Sequence, residues 1–239
     1  MKSRLLKLCA LFAACLLVSC IDGREEYWFL ANGSGRAELT YTFPALAARL
    51  GGGEEAIREK IAAFLKDNPA FSSSSYELTR NGGTLSATVR VEFDSIRDLK
   101  KLNASGETSS LSEASRYFTG NIDLAFQGLT LELTRTIQVG KAIPTAAFLP
   151  QRELENRRLV YIIHLPTSAL ETNATRTEDA GKTLIWDIPL ADALRSPTVL
   201  HAKGRIPLPP WLVITASGVS LAVLGVVMRK MWKKKFNRR

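Results

Sequence analysis

Cysteine is nearly missing from this chain, and its placement excludes more than its scarcity. Cys9, Cys15 and Cys20 all fall within the first twenty residues. Whatever follows Cys20 can hold no internal disulfide, no thiolate zinc site and no cysteine nucleophile. Histidine is almost as scarce: His164 and His201 are the two present. Neither belongs to a His-Glu-x-x-His helix or to a His/Cys/Asp cluster. Both lie in stretches that read as strands, where a structural role is expected.

Other chemical signatures are absent as well. No serine sits in a Gly-x-Ser-x-Gly elbow, including the run Ser72 to Ser75. Asn32-Gly33-Ser34-Gly35 lies between strands, and Gly51-Gly52-Gly53-Glu54 lacks the Lys-Ser/Thr of a phosphate loop, so they read as a turn and a helix entry. The pairs Glu25-Glu26, Glu54-Glu55 and Glu178-Asp179 fall at strand starts, helix starts or turns, where solvation or capping accounts for them. No enzyme activity, cofactor or metal is expected.

The net charge of +9 suggests nucleic acid until the charges are located. Setting aside Lys2, Arg4 and Lys7 at one end and seven basic residues at the other leaves 22 basic against 23 acidic. The body between them is neutral. The excess serves insertion and topology, and no nucleic-acid partner is expected.

A long apolar run is present. Trp211 to Met228 carries no charge, and at about 1.5 Å per residue it makes roughly 27 Å of helix, close to a bilayer's hydrocarbon thickness. Residues 211–231 are expected to be a transmembrane helix. Seven of the last eleven residues are basic (Arg229, Lys230, Lys233, Lys234, Lys235, Arg238, Arg239). Such a cluster stays on the cytoplasmic side, which makes 232–239 a cytoplasmic tail. Trp211 and Trp232 bracket the span as membrane-interface anchors, because an indole's mixed polarity suits the headgroup layer. Gly218 and Ala222 are four apart and would let a partner helix approach closely.

The first nineteen residues read as a secretory signal: Lys2, Arg4 and Lys7, an apolar run from Leu8 to Val18, then small Ser19. Leu17-Val18-Ser19-Cys20 resembles the bacterial lipobox, whose cysteine is acylated before cleavage leaves it as the mature N-terminus. The resemblance makes Cys20 the lipidation site, with Cys9 and Cys15 removed. A eukaryotic single-span receptor would share the signal, span and tail. A body without one cysteine departs from that class.

Between the ends, residues 20–205 read as an extracytoplasmic α+β domain. Ala37, Leu39, Tyr41 and Phe43 alternate with polar residues, giving a strand with one buried face and a hairpin with the preceding Arg24 to Leu30. Ile57, Ile61, Phe64 and Leu65 recur at helical spacing between Glu54 and Asp67. Ser74 to Arg80 and Leu85 to Phe93, joined through Asn81-Gly82-Gly83, predict a second hairpin, and Asp94 to Leu102 a short helix. Ile122 to Val139 predicts a third hairpin about Gln127-Gly128. Leu159 to Leu165 is too continuously apolar for an edge and reads as a central strand. Asn103 to Gly120 reads as a solvated connection, and Gln151 to Arg158 suits a helix. The fold class expected is antiparallel hairpins with helices on one face of the sheet, plus one C-terminal transmembrane helix. Residues 206–210, with three prolines, form a stiff connector of about 15 Å.

One stretch carries a further resemblance. Asn173 after a Pro-ended strand, the acidic turn Glu178-Asp179-Ala180-Gly181, and the strand centred on Trp186 leading into Pro189-Leu190 resemble the LppM-like family of bacterial membrane lipoproteins, as do the lipobox and terminal helix. The resemblance implies an α+β ectodomain held at the envelope. The expected protein is a doubly anchored lipoprotein of the cytoplasmic membrane, binding membrane lipids or an envelope protein through its ectodomain or its helix. The alternative is a membrane-tethered hydrolase using His164 or His201.

Overall fold

The computed structural model describes residues 22–50, 52–66, 68, 70–99, 117, 119–142, 154 and 156–207. The chain divides into two units, Met1–Ile206 and Pro207–Arg239, and the described residues up to 206 belong to the first. Cys20, Trp211, Trp232, the span 211–231 and nearly all of the connection 103–120 lie outside the described residues. Among the described residues no helix is long and apolar enough to cross a membrane.

The alternation of small or apolar residues with polar ones dictates the first hairpin. Strand β1 (Asp22–Phe29) turns at Asn32, whose Oδ1 accepts from Ser34 N at 3.1 Å, and returns as β2 (Gly35–Pro44). Gly35 is required by close approach. A Cβ there would meet the Phe93 ring at 2.4 Å and the Trp28 carbonyl oxygen at 2.5 Å, so any larger residue would push the β2 and β4 ends apart. Two short helices follow, α1 (Ala45–Leu50) and α2 (Gly53–Lys66). Glu54 and Glu55 in the first turn of α2 and Lys66 in its last complement the helix dipole. The second hairpin, β3 (Ser73–Asn81) with β4 (Thr84–Phe93), turns through Gly82 at φ 58°. Of the helix expected over Asp94 to Leu102, a short 3₁₀ turn forms at Ile96–Asp98, capped by Ser95 accepting from Arg97 N.

The third hairpin, β5 (Asn121–Gln127) and β6 (Thr130–Ile137), is followed by the short helix α3 (Val139–Ala142). After it come β7 (Arg158–His164), β8 (Ala169–Thr172), β9 (Arg176–Glu178), β10 (Thr183–Pro189), helix α4 (Leu190–Arg195) and β11 (Thr198–Arg205). Arg158 begins β7, so the helix expected over Gln151 to Arg158 does not reach its last residue.

These strands build two sheets rather than one. The larger runs β3-β4-β2-β1-β7-β10-β9 and the smaller β5-β6-β11-β8. The expectation of antiparallel hairpins needs a correction, since β1 and β7 pair in parallel, Gly23 with Leu159 through Trp28 with His164. A long excursion separates them in sequence, as a parallel pair requires. The fold is α+β and mostly β. β7 lies between β1 and β10, the central place its apolar run predicts.

Helices α1 and α2 do cover one face of the larger sheet, but only its β2-β4-β3 half. Ala48, Ile57 and Ile61 pack there on Phe43, Leu78, Leu85 and Ala87, while Phe64 and Leu65 meet Ala37 and Val91. Over β1, β7 and β10 that same face is covered by the smaller sheet. Phe29, Leu159, Tyr161, Ile163, Leu184 and Trp186 meet Ile122, Leu124, Leu133, Ile137 and Leu200 in the main core. The opposite face of the larger sheet is polar where β2 and β4 meet, with Thr40 facing Thr88 at 3.1 Å and Thr42 facing Ser86 at 3.2 Å.

Candidate functional site

Alternation along β1 sends neighbouring carboxylates to opposite faces. Glu25 and Tyr27 point into the core, and Glu26 and Trp28 point out of it. Both glutamates had suggested solvated or capping positions. The structure corrects this for Glu25, which is 1% exposed in the middle of the domain.

Its partner comes from the other sheet. Arg135 on β6, 5% exposed, reaches both Glu25 oxygens, binding Oε2 through Nη1 and Oε1 through Nη2 at 3.2 Å. Arg135 also donates to the Tyr27 hydroxyl at 2.8 Å and, through Nε, to the Thr119 carbonyl at 2.8 Å. Tyr27 donates to Glu25 Oε2 at 2.5 Å, and Tyr41 from β2 donates to Oε1. The guanidinium carbon lies 5.5 Å from the Tyr161 ring centroid and 5.8 Å from that of Tyr27. Desolvation would push the Glu25 carboxyl up, but the Arg135 charge and the hydrogen bonds from Arg135, Tyr27 and Tyr41 hold it below its ordinary range. Burial and the Glu25 charge raise the phenols of Tyr27 and Tyr41 well above theirs; burial raises Tyr161 too. Two carboxylate oxygens accept four donors, and aromatic rings flank the guanidinium. Its chemistry is that of a polar rivet between sheets.

The outer face holds a second constellation. Arg36, Trp28 and His164 are register partners on β2, β1 and β7, so their side chains stand in a row. The Arg36 guanidinium lies 4.6 Å from the Trp28 ring centroid, and the His164 ring stacks on the indole at 5.2 Å and 9°. His164 Nε2 meets Glu26 Oε1 at 2.7 Å and Nδ1 meets Thr183 Oγ1 at 3.1 Å. Thr183 in turn donates to Asp179 Oδ2 at 2.5 Å. Asp179 and Ala180 occupy the left-handed region, at φ 50° and 55°. Such strain is held by its surroundings: Ser168 Oγ donates to the Ala180 carbonyl, and Lys182 N donates to that of Asp179.

His164 thus stands between the Glu26 carboxylate and the Thr183 hydroxyl, and Thr183 passes its own proton on to Asp179. Partial burial would raise the Glu26 carboxyl, but His164 and Arg24 hold it below its usual value. Thr183, His164 and Glu26 have the membership of a hydroxyl, base and carboxylate triad. The hydroxyl is badly placed for attack, since Thr183 is 4% exposed and its proton is directed to Asp179.

His201 stands on the outer face of the smaller sheet, meeting Glu132 Oε1 at 3.0 Å. Its register partner is Thr134, one residue from Arg135, whose side chain goes inward. The two histidines therefore belong to different sheets, each with its own glutamate; the sequence had placed both in strands without separating the sheets or naming these partners. No cluster of three or more metal-binding side chains occurs among the described residues.

Asn173 proves to be a structural clamp. Its Oδ1 accepts from the Trp186 indole and from His201 N, both at 2.8 Å, while Nδ2 donates to the Val199 carbonyl at 2.8 Å. It thereby ties the core tryptophan of the larger sheet to β11 of the smaller. Nothing in the sequence paired Glu25 with Arg135 across 110 positions. The signal available was a carboxylate on the apolar parity of a strand, beside Tyr27 and Phe29.

The fold and these contacts define an α+β domain of two stacked sheets riveted by a buried ion pair. No protein family matches the chain, and no curated protein matches it. In structure it is similar to the folded domain of Mycobacterium tuberculosis LppM, solved by NMR, with a TM-score of 0.49 and 12% sequence identity over 79% of this chain and 91% of that one.

Proposed function

We propose that this protein is a doubly anchored envelope lipoprotein whose exported body binds a membrane lipid or an envelope protein without catalysis. The anchors are the acylated Cys20 and the span 211–231, with Trp211 and Trp232 at its two interfaces. The observation that carries the non-catalytic reading is the state of Thr183: the one hydroxyl bonded to a histidine among the described hydrogen bonds is buried and already donates to Asp179. The remaining buried charge, Glu25 with Arg135, is spent on holding two sheets together.

A spanning helix makes insertion effectively irreversible, so acylation adds little retention. A Cys20→Ala variant is expected to stay in the membrane fraction; its release into the soluble fraction would overturn the topology. Mass spectrometry of lipids and proteins that co-purify with the intact chain identifies the bound class.

A hydrolase remains the second reading because His164 is bonded to both Thr183 and Glu26. It requires ester hydrolysis by the purified full chain that disappears in both His164→Gln and Thr183→Val. Activity untouched by these changes, or absent in the wild type, removes it.

A further inference from the structure

The body's two exits lie at opposite ends of one strand. At the entry, Asp22 accepts from Arg157 Nη1 at 2.6 Å and from Arg158 N at 3.3 Å, beside the first residue of β7. At the exit, Arg205 O accepts from Thr167 Oγ1 at 3.0 Å, and the Gly204 backbone lies against Leu165, just past the last residue of β7. Seven steps from Arg158 to Leu165 at about 3.3 Å each put the exits about 23 Å apart along the strand direction.

Resting on the double tether proposed above, we infer that the body leans along the bilayer surface rather than standing upright on it, so that its membrane-contacting surface is a flank of the sheets that includes both exits. Chain reach decides this. Cys20 is two residues from Asp22, a span of at most about 7 Å, and Ile206 is five residues from Trp211, at most about 17 Å when fully extended. An upright domain would have to lift one exit about 23 Å above the surface, beyond either reach. The strand axis is limited to about 18° from the plane with the entry raised, and to about 50° with the exit raised.

The side chains at the exit end suit the headgroup region. Leu129, 52% exposed, sits in the β5–β6 turn, where its carbonyl accepts from Ile206 N at 2.8 Å. Leu170, 46% exposed, lies on β8 next to Ala169, which pairs with Gly204. Exposed apolar side chains beside the last residues of the body gain from contact with lipid.

Acylation blocks the thiol of Cys20, so a cysteine introduced elsewhere in the mature chain can be labelled singly. Thr42→Cys marks the entry end, where Thr42 pairs with Asp22, and Leu129→Cys marks the exit end. Ser86→Cys, paired with Thr42, is a second marker of the entry end. Each full-length variant, fluorescently labelled in vesicles of phosphatidylethanolamine and phosphatidylglycerol, is read by quenching from headgroup-spin-labelled lipid. Both ends are expected to be quenched. An unquenched entry end on a chain whose mass shows the acyl group overturns the orientation and leaves the double tether standing. A mature chain without the acyl group overturns the double tether, and the orientation with it.

Discussion

Glu25 and Arg135 carry opposite charges in a place where water cannot screen them. A lone buried charge costs several kcal/mol, and the pair is tolerated because each group neutralises the other and the tyrosines satisfy what is left. Glu25→Gln or Arg135→Met is therefore expected to lower stability by about 3–5 kcal/mol, since either strands the partner's charge. The double variant should lose clearly less than the sum, which chemical denaturation of all three reads as a double-mutant cycle. pH acts on the same network from both sides. Glu25 is held below the ordinary glutamate value of about 4.5, so its contribution is present above that pH and is lost as pH falls through the lower folded value. The phenols of Tyr27, Tyr41 and Tyr161 are raised above 10, so theirs is present below pH 10 and is lost as pH climbs through the folded values. In an alkaline titration followed by phenolate absorbance, these three are expected to ionise together with unfolding rather than before it; early, reversible ionisation of all five tyrosines would contradict the burial.

At the scale of elements, the hairpins were legible because each is local. Period-two alternation in Ala37 to Phe43 and in Leu85 to Phe93 names the buried face, and Gly82 and Gly128 mark the turns. The parallel β1–β7 pair was not legible, because residues 30–157 intervene and no local pattern encodes which distant strand completes a sheet. The stretch around Asn173 shows the converse: a short motif visible in sequence acquires a mechanical meaning only when β8, β10 and β11 are assembled. Asn173→Ala removes three hydrogen bonds and leaves the Trp186 indole N–H unpaired in the core, a loss expected at about 1–3 kcal/mol. Thermal unfolding with a Trp186 fluorescence readout checks it; an unchanged midpoint would show that water replaces the amide without penalty.

Across the whole molecule, stability should be graded from the centre outward. β1 and β7 have strand neighbours on both sides and are sandwiched against the smaller sheet, whereas β3 and β9 are edges. Native-state hydrogen exchange is expected to be slowest for amides of β1, β7 and β10 and fastest in β3 and β9. Equal protection in β3 and β7 would mean that the sheet opens as one unit.

The sequence by itself determined the neutral body, its basic flanks, the α+β character, the hairpins and the central place of Leu159 to Leu165. All of these follow from composition or from periodicities shorter than ten residues, which neighbouring side chains enforce directly. Only the tertiary structure decided that there are two sheets, that β1 and β7 run in parallel, that Glu25 meets Arg135, that His164 joins Glu26 to Thr183, and that the two exits of the body lie at opposite ends of β7. Those contacts join residues far apart in the chain, and the pairing free energy that selects them exists only after the strands between them have folded and desolvated the site.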